Sequence, residues 1–308
     1  MIEFQNVGFT YRTAEGKRGR RKKARESDID WGNDPGAYWA LHDVSFALAD
    51  GEFLGIAGHT GSGKSTLIQH MNGLLHPLQG RVLVDGADIA DKGAAAAARE
   101  HVGMVFQYPE HQLFAATVFD DVAFGPRNMG LSPEEVERRY AQAMQLVELN
   151  AEALRSASPF ELSGGQQRRV AFAGVLAMGP KTLILDEPVA GLDPKSREDF
   201  LRFIQHMHTE EGMTVVMVSH DMNDLARLCD RILVLNRGEV FALGTPEEVF
   251  ADAEACKRIG LGVPATQHLS NELAKRGVRL PRQDGLPTLE SLADAIASIV
   301  PREGSPRG

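Results

Sequence analysis

The eight residues Gly58, His59, Thr60, Gly61, Ser62, Gly63, Lys64 and Ser65 constrain this chain more than any other stretch. They fit G-x-x-x-x-G-K-[ST], follow an apolar run from Phe53 to Ala57 and open a helical pattern over Thr66 to Leu75, which is the context such a loop requires. The residue types have a chemical reason. Glycines let the backbone curl so that successive N–H groups point inward at phosphate oxygens, where a side chain would collide or force a disallowed φ. The helix N-terminus adds positive potential, Lys64 is placed to bridge β and γ phosphates, and the Ser65 hydroxyl to ligate Mg²⁺, with Thr66 next in the nucleotide-contacting set.

A phosphate loop of this kind calls for a carboxylate at the end of a neighbouring apolar strand. The run Thr182, Leu183, Ile184, Leu185, Asp186, Glu187 supplies it. Asp186 reads as the Mg²⁺-side ligand, and Glu187, just past the strand end, as a group able to accept a proton from an attacking water. Short β-branched runs alternating with helical patterns continue along the chain: Ile2 to Val7, Val44 to Leu48, Arg81 to Val84, Val102 to Phe106, Thr214 to Ser219, Arg231 to Asn236 and Glu239 to Leu243. This is the pattern of an α/β fold with a sheet covered by helices.

Between Gln107 and Met178 the pattern turns almost wholly helical. Ser132, Pro133 and Glu135 form an S-x-x-E capping box, after which Val136, Tyr140, Met144 and Val147 recur on one face. The reading is a helical subdomain, about 108–178, set into the core. After about Phe250 the strands stop, and Leu289, Leu292, Ala293, Ile296 and Val300 make an amphipathic stripe after Thr288 that must face the main domain or a second chain.

The 308 residues carry 33 Lys plus Arg against 42 Asp plus Glu, a net charge of −9 that makes general nucleic-acid binding a poor default. The charge is uneven. Seven basic residues fall between Lys17 and Arg25, a block that cannot pack into a core and reads as a solvated insertion, about 12–39. No apolar run approaches the roughly 18 residues needed to cross a bilayer, and Met1 to Asn6 has no secretory pattern. Cys229 and Cys256 are far apart and in no metal-like spacing.

Further motifs carry a family resemblance. Leu162, Ser163, Gly164, Gly165 and Gln166, placed between the glycine-rich loop and the Asp186 strand, resemble the signature sequence of ATP-binding-cassette ATPases. Gln107 matches that family's Q-loop glutamine, Ala190 to Asp193 its D-loop, and His220 its switch histidine. The resemblance covers roughly residues 1–250. It implies a P-loop NTPase of the ABC type, with a mixed sheet core, an inserted helical subdomain and a small C-terminal helical extension. The nucleotide-binding domain would span 1–245 and the extension, expected to dimerise, 246–308. It also implies ATP and Mg²⁺, with Ser65, Gln107 and Asp186 on the metal side, Glu187 as general base, His220 at the γ-phosphate and Gln107 sensing the attacking water. Two such domains would meet head to tail, so that Ser163 and Gly165 of one chain, with Gly164, Gln166 and Asp193 nearby, reach the nucleotide held by Lys64 of the other. The adenine would stack on Tyr11, with Tyr38 or Trp39 as alternatives, since the insertion departs from the family's short loop.

The stretch Gln107 to Phe114, with Thr117, Val118 and Asp121 to Pro126, is similar to the segment after the Q-loop in energy-coupling factor transporters, bacterial importers of vitamins and transition-metal ions. The glycine-rich loop, Gln69 to Leu75 and Arg168 to Met178 look most like the second of that machinery's two ATPase subunits. The resemblance implies a homologous ATPase partner, a transmembrane coupling protein docking on exposed Leu113 and Phe114, a substrate-binding membrane protein, and a place at the cytoplasmic face of the cell membrane. Whether the pair is a heterodimer or a homodimer stays open. The basic block suits either a solvated loop or contact with anionic lipid headgroups. The alternatives are the ATPase of another ABC transporter, or a non-transport relative acting on nucleic acid; relatives of the second kind carry a coiled-coil insertion or two cassettes, and this sequence has neither.

Overall fold

The computed structural model describes residues 1–11, 39–278, 280–281 and 286–299. The basic insertion, Tyr38 and Val300 lie outside the described residues. The chain opens with β1 (Ile2–Phe9), β2 (Leu41–Leu48) and β3 (Phe53–Ala57), followed by α1 (Lys64–Met71), β4 (Gln79–Val84), β5 (Ala87–Asp88), α2 (Ala94–His101) and β6 (Val102–Val105). A helical stretch comes next: α3 (Val118–Asn128), α4 (Pro133–Leu146), α5 (Ala151–Leu154) and α6 (Gly164–Leu176). The α/β alternation then resumes with β7 (Thr182–Asp186), α7 (Pro194–Thr209), β8 (Thr214–Val218), α8 (Met222–Leu228), β9 (Arg231–Asn236) and β10 (Glu239–Gly244). Four short helices close the described chain: α9 (Pro246–Phe250), α10 (Ala253–Arg258), α11 (Ala265–Lys275) and α12 (Leu289–Ile299).

Two sheets form. One is antiparallel, in the order β2-β1-β4-β5; the other runs β10-β9-β3-β8-β7-β6, with β6, β7, β8, β3 and β9 parallel and β10 antiparallel at the edge. The larger sheet is a wall between two cores, and the period-2 alternation of strands explains how. Phe53, Leu183, Leu185, Val215, Met217, Ile232 and Val234 face the core shared with α3, α4, α6 and α7. Their neighbours Leu54, Ile56, Ile184, Val216, Val218, Leu233 and Leu235 face the other, shared with β1, β2, β4 and α1. Both faces are covered, so β3 and β8 are buried at every position and read as unbroken apolar runs rather than alternating ones. Each such Leu or Ile contributes about 1.5–3 kcal/mol by leaving water.

Local chemistry departs from the sequence reading in four places. β2 starts at Leu41 rather than Val44, because Leu41 pairs with Phe9 and His42 N–H donates to Gly238 O. The first helix covers Lys64–Met71 rather than Thr66 to Leu75; beyond it the Leu74 and Leu75 amides fold back onto Gln69 O. Only half of the Ser132 box forms. Ser132 Oγ accepts from the Glu135 amide at 3.3 Å, but the Glu135 carboxylate is engaged by Arg138 and Arg139 instead. In α12 the buried residues are Leu292 and Ala295, while Ala293 and Leu289 face outward. Among the described residues no helix is long and apolar enough to cross a membrane.

Candidate functional site

The site grows from the β3–α1 junction. Gly58 and Gly63 have φ of +147° and +107°, and neither position has room for a Cβ: at Gly58 it would lie 2.4 Å from Leu235 O, at Gly63 2.4 Å from Ala40 O. The loop therefore presses against the β9–β10 turn and the start of β2. Gly238 N–H donates to Ser62 O at 2.9 Å, and His59 Nε2 and Asn236 Oδ1 lie 3.2 Å apart. Lys64 is buried, and its Nζ donates to Gly58 O at 2.7 Å and His59 O at 3.1 Å.

A cavity of about 400 Å³ opens over this loop. Gly61, Lys64, Ser65, Gln107, Asp186, Glu187 and His220 line it, with Tyr11, Thr60, Gly63 and Thr66 among their neighbours. Strand ends explain the convergence: Gln107 lies just past β6, Asp186 closes β7, and His220 follows β8, three strands adjacent in one sheet. Parallel sheets bind ligands at such carboxyl ends. Tyr11 is 63 % exposed, packs edge-on against Phe9 and places its hydroxyl 3.1 Å from Thr66 Oγ1. Trp39 does not line this cavity and lies against His42 instead.

Burial sets the charges. It pulls the Lys64 ammonium below its usual value, with Glu187 and Asp186 opposing, and lifts the Asp186 carboxyl, with Lys64 and His220 opposing. Glu187 is lifted most, to about 7, by burial and by the Asp186 charge, although the His220 backbone amide pulls the other way. His220 is lowered by burial and by Lys64. Its Nε2 lies 3.3 Å from Glu187 Oε1, within ion-pair range but without the alignment of a hydrogen bond, so this buried oxygen has no hydrogen-bond partner. A buried orphan acceptor with a raised pKa in a cleft is the electrostatic mark of a functional carboxylate.

The residues also fit a divalent cation. The Ser65 hydroxyl is exposed in the first turn of α1, and it shares the cavity with the Gln107 amide and the Asp186 carboxylate. Among the described residues no group of three or more His, Cys, Asp and Glu could hold a metal by itself. Sparse oxygen donors suit Mg²⁺, which keeps several waters and leans on substrate phosphates.

Other predicted residues stand apart from this cavity. Ser163 caps α6 with a complete capping box, its Oγ accepting from Gln166 N–H while Gln166 Oε1 accepts from Ser163 N–H, and Ser163, Gly164 and Gly165 are exposed. Asp193 caps α7 through the Lys195 and Ser196 amides. Neither group lines the Lys64 cavity. Ser62 is buried, its Oγ turned in beside Gly58. Leu113 is a correction: it is 6 % exposed, in one cluster with Val118 and Val122, because the 3-10 turn Pro109–Gln112 aims it inward, whereas Phe114 is 60 % exposed and meets the exposed Phe124 edge-on at 4.9 Å. Sequence reasoning gave no role to Arg168 and Glu110, an ion pair with the arginine buried. Its signal was an arginine three and four residues before Ala171 and Phe172, on a face that turns inward.

The ABC transporter family model matches residues 41–190. The chain is 55 % identical over 248 residues to the energy-coupling factor transporter ATP-binding protein EcfA2 of Caldanaerobacter subterraneus subsp. tengcongensis, covering 80 % of this chain and 86 % of that protein. With the EcfA2 of Symbiobacterium thermophilum it is 56 % identical over 266 residues, covering 86 % and 90 %. Among solved structures, cbiO1 from Clostridium perfringens, described as part of the ABC transporter complex cbiONQ, superposes with a TM-score of 0.68 at 35 % identity over 88 % of this chain and 98 % of that one. The ATP-binding cassette MJ0796, solved as a dimer in a post-hydrolysis state with ADP and Pi, gives 0.63 at 30 % identity over 80 % and 98 %. With motifs, fold and relatives in agreement, this chain belongs to the ATP-binding subunits of energy-coupling factor transporters, among those of the EcfA2 type.

Proposed function

We propose that this ATPase couples ATP binding and hydrolysis to uptake of a vitamin or a transition-metal ion through membrane partners. The observation that carries the reading is the single cavity holding the glycine-rich helix terminus, Lys64, Asp186, Glu187 and His220. ATP phosphates lie on the inward N–H groups of the loop, and Lys64 leaves the two carbonyls it now holds to meet the β and γ oxygens. Ser65, Gln107 and Asp186 would hold Mg²⁺, which when bound would supply neutralisation of phosphate charge. Glu187 takes a proton from the attacking water, His220 and Gln107 hold that water and the γ-phosphate, and Tyr11 stacks on the adenine.

The exposed Ser163 turn completes a second chain's site. Its helix N-terminus, with Gly164, Gly165, Gln166 and Asp193 nearby, closes on the γ-phosphate bound to the partner ATPase, so ATP joins the pair and hydrolysis releases it. Docking of a transmembrane coupling protein falls to Phe114 and Phe124, and a substrate-binding membrane protein completes the assembly at the cytoplasmic face. The segments 1–245 and 246–308 serve as nucleotide-binding domain and pairing extension, with 108–178 as the helical subdomain. The basic residues from Lys17 to Arg25 add anionic-lipid contact worth roughly 1 kcal/mol each near the surface; deletion of residues 14–30 should weaken vesicle binding at low salt, and unchanged binding across salt concentrations would refute it.

The Glu187→Gln variant tests the core of the reading. Loss of a general base lowers turnover by about 10²–10⁴-fold, while ATP binding persists and the closed pair accumulates on size-exclusion chromatography. Undiminished ATPase activity in the assembled complex would remove Glu187 from this role.

A further inference from the structure

Arg168 stands on the inward face of α6 and is 4 % exposed. Its Nε and Nη2 donate to the two carboxylate oxygens of Glu110 at 3.0 and 3.3 Å, Nη1 donates to Pro188 O at 3.4 Å, and Nη2 also to Ala190 O at 3.3 Å. Burial pushes the Glu110 carboxyl up, but the Arg168 hydrogen bonds, its own backbone amide and the Arg168 and His111 charges together hold the group below the usual range. One side chain thus fastens three segments. They are the helix that begins after Ser163, the turn between Gln107 and Phe114, and the backbone that leaves Glu187.

Both gripped segments begin in a left-handed conformation. Tyr108 has φ +58° and Glu187 φ +49°, neither is glycine, and each is followed by a proline. Such conformations persist only where the surroundings over-determine them, and they gather at functional sites. The Tyr108 ring adds a second tie, since a Cβ on Gly191 would meet its Cε1 at 3.4 Å.

We propose that Arg168 and Glu110 form a clasp that sets the position of Glu187 and fastens it to the turn bearing Phe114, which makes Arg168 a positioning residue for ATP turnover. The inference rests on Glu187 being the general base. Lysine at 168 keeps the charge, but a compact ammonium cannot span a carboxylate and two carbonyls as the guanidinium fork does.

The test is to measure kcat, KM for ATP, nucleotide affinity and melting temperature for R168K, E110Q and the double variant, each in the complex purified from native membrane. Misplacement of a reacting group by about 1 Å costs up to roughly 100-fold, so kcat should fall by about tenfold or more in both single variants while nucleotide affinity stays within about twofold. Residues acting as one unit are non-additive, so the double variant should be no slower than the slower single one. A kcat within twofold of the unmodified complex in both single variants, or losses that multiply in the double variant, would overturn the clasp. If R168K does not fold, E110Q decides through its split between kcat and affinity. Failure of the base assignment appears separately, as persisting turnover in Glu187→Gln.

Discussion

Glu187 carries a charge that depends on pH near neutrality, and the sign of its effect on stability follows. Its carboxyl sits at about 7 in the folded chain against 4.5 when unperturbed, so between those values the native state keeps a proton that the unfolded state has released. Stability contributed by this group is therefore full below the unfolded pKa and falls as pH rises through the folded one, by a total on the order of 3 kcal/mol. Glu187→Gln removes the burden, so without nucleotide its melting temperature should exceed that of the unmodified chain by more at pH 8 than at pH 5; equal differences at both would contradict the buried carboxylate. At this scale Lys64, Asp186 and Glu187 were readable because a strand end and a glycine-rich turn leave local signatures. Leu113 was not. Whether a residue in a 3-10 turn points in or out depends on a distant cluster, and the neighbouring Phe114, equally apolar, turns the other way.

Among elements, the phosphate loop and the central strands show two kinds of constraint. Gly63 caps α1 in the left-handed region with Ala40 O where a Cβ would sit, so Gly63→Ala should lower stability by about 1–3 kcal/mol and abolish ATP binding; calorimetry and nucleotide titration read the two effects. Unchanged melting would mean that the contact with β2 yields easily. The buried strands β3, β7 and β8 were legible almost to the residue, since a sheet covered on both faces needs an unbroken apolar run. Strand ends were less so: β2 gains Leu41 to Asp43 only through pairing with β1 and the bond to the β9–β10 turn. The Ser132 box failed for a related reason, because an arginine one turn on competes for the glutamate that the motif assigns to the backbone.

For the whole molecule, the exposed pair Phe114 and Phe124 is an apolar feature on the helical side, close in sequence to Gln107. Phe114→Asp should leave nucleotide binding unchanged and unfolding free energy within about 0.5 kcal/mol of the unmodified chain, as surface changes do, while releasing it from membrane partners in pull-down and stopping uptake. Normal co-purification and transport would move the docking surface elsewhere. The proposed division of labour between chains comes from resemblance alone: nothing in residue spacing says that the Ser163 turn lies away from the Lys64 cavity, which the packing of α6 decides. That separation has a kinetic consequence. On the proposed head-to-tail pairing, each molecule brings two unlike half-sites and completes neither alone, so if copies of the detached subunit pair with one another, the initial rate should climb with the square of protein concentration when dilute and become linear once pairing saturates. If a shared membrane protein holds them side by side, as proposed, the same halves would meet at a fixed effective concentration, and the dependence on dilution would disappear.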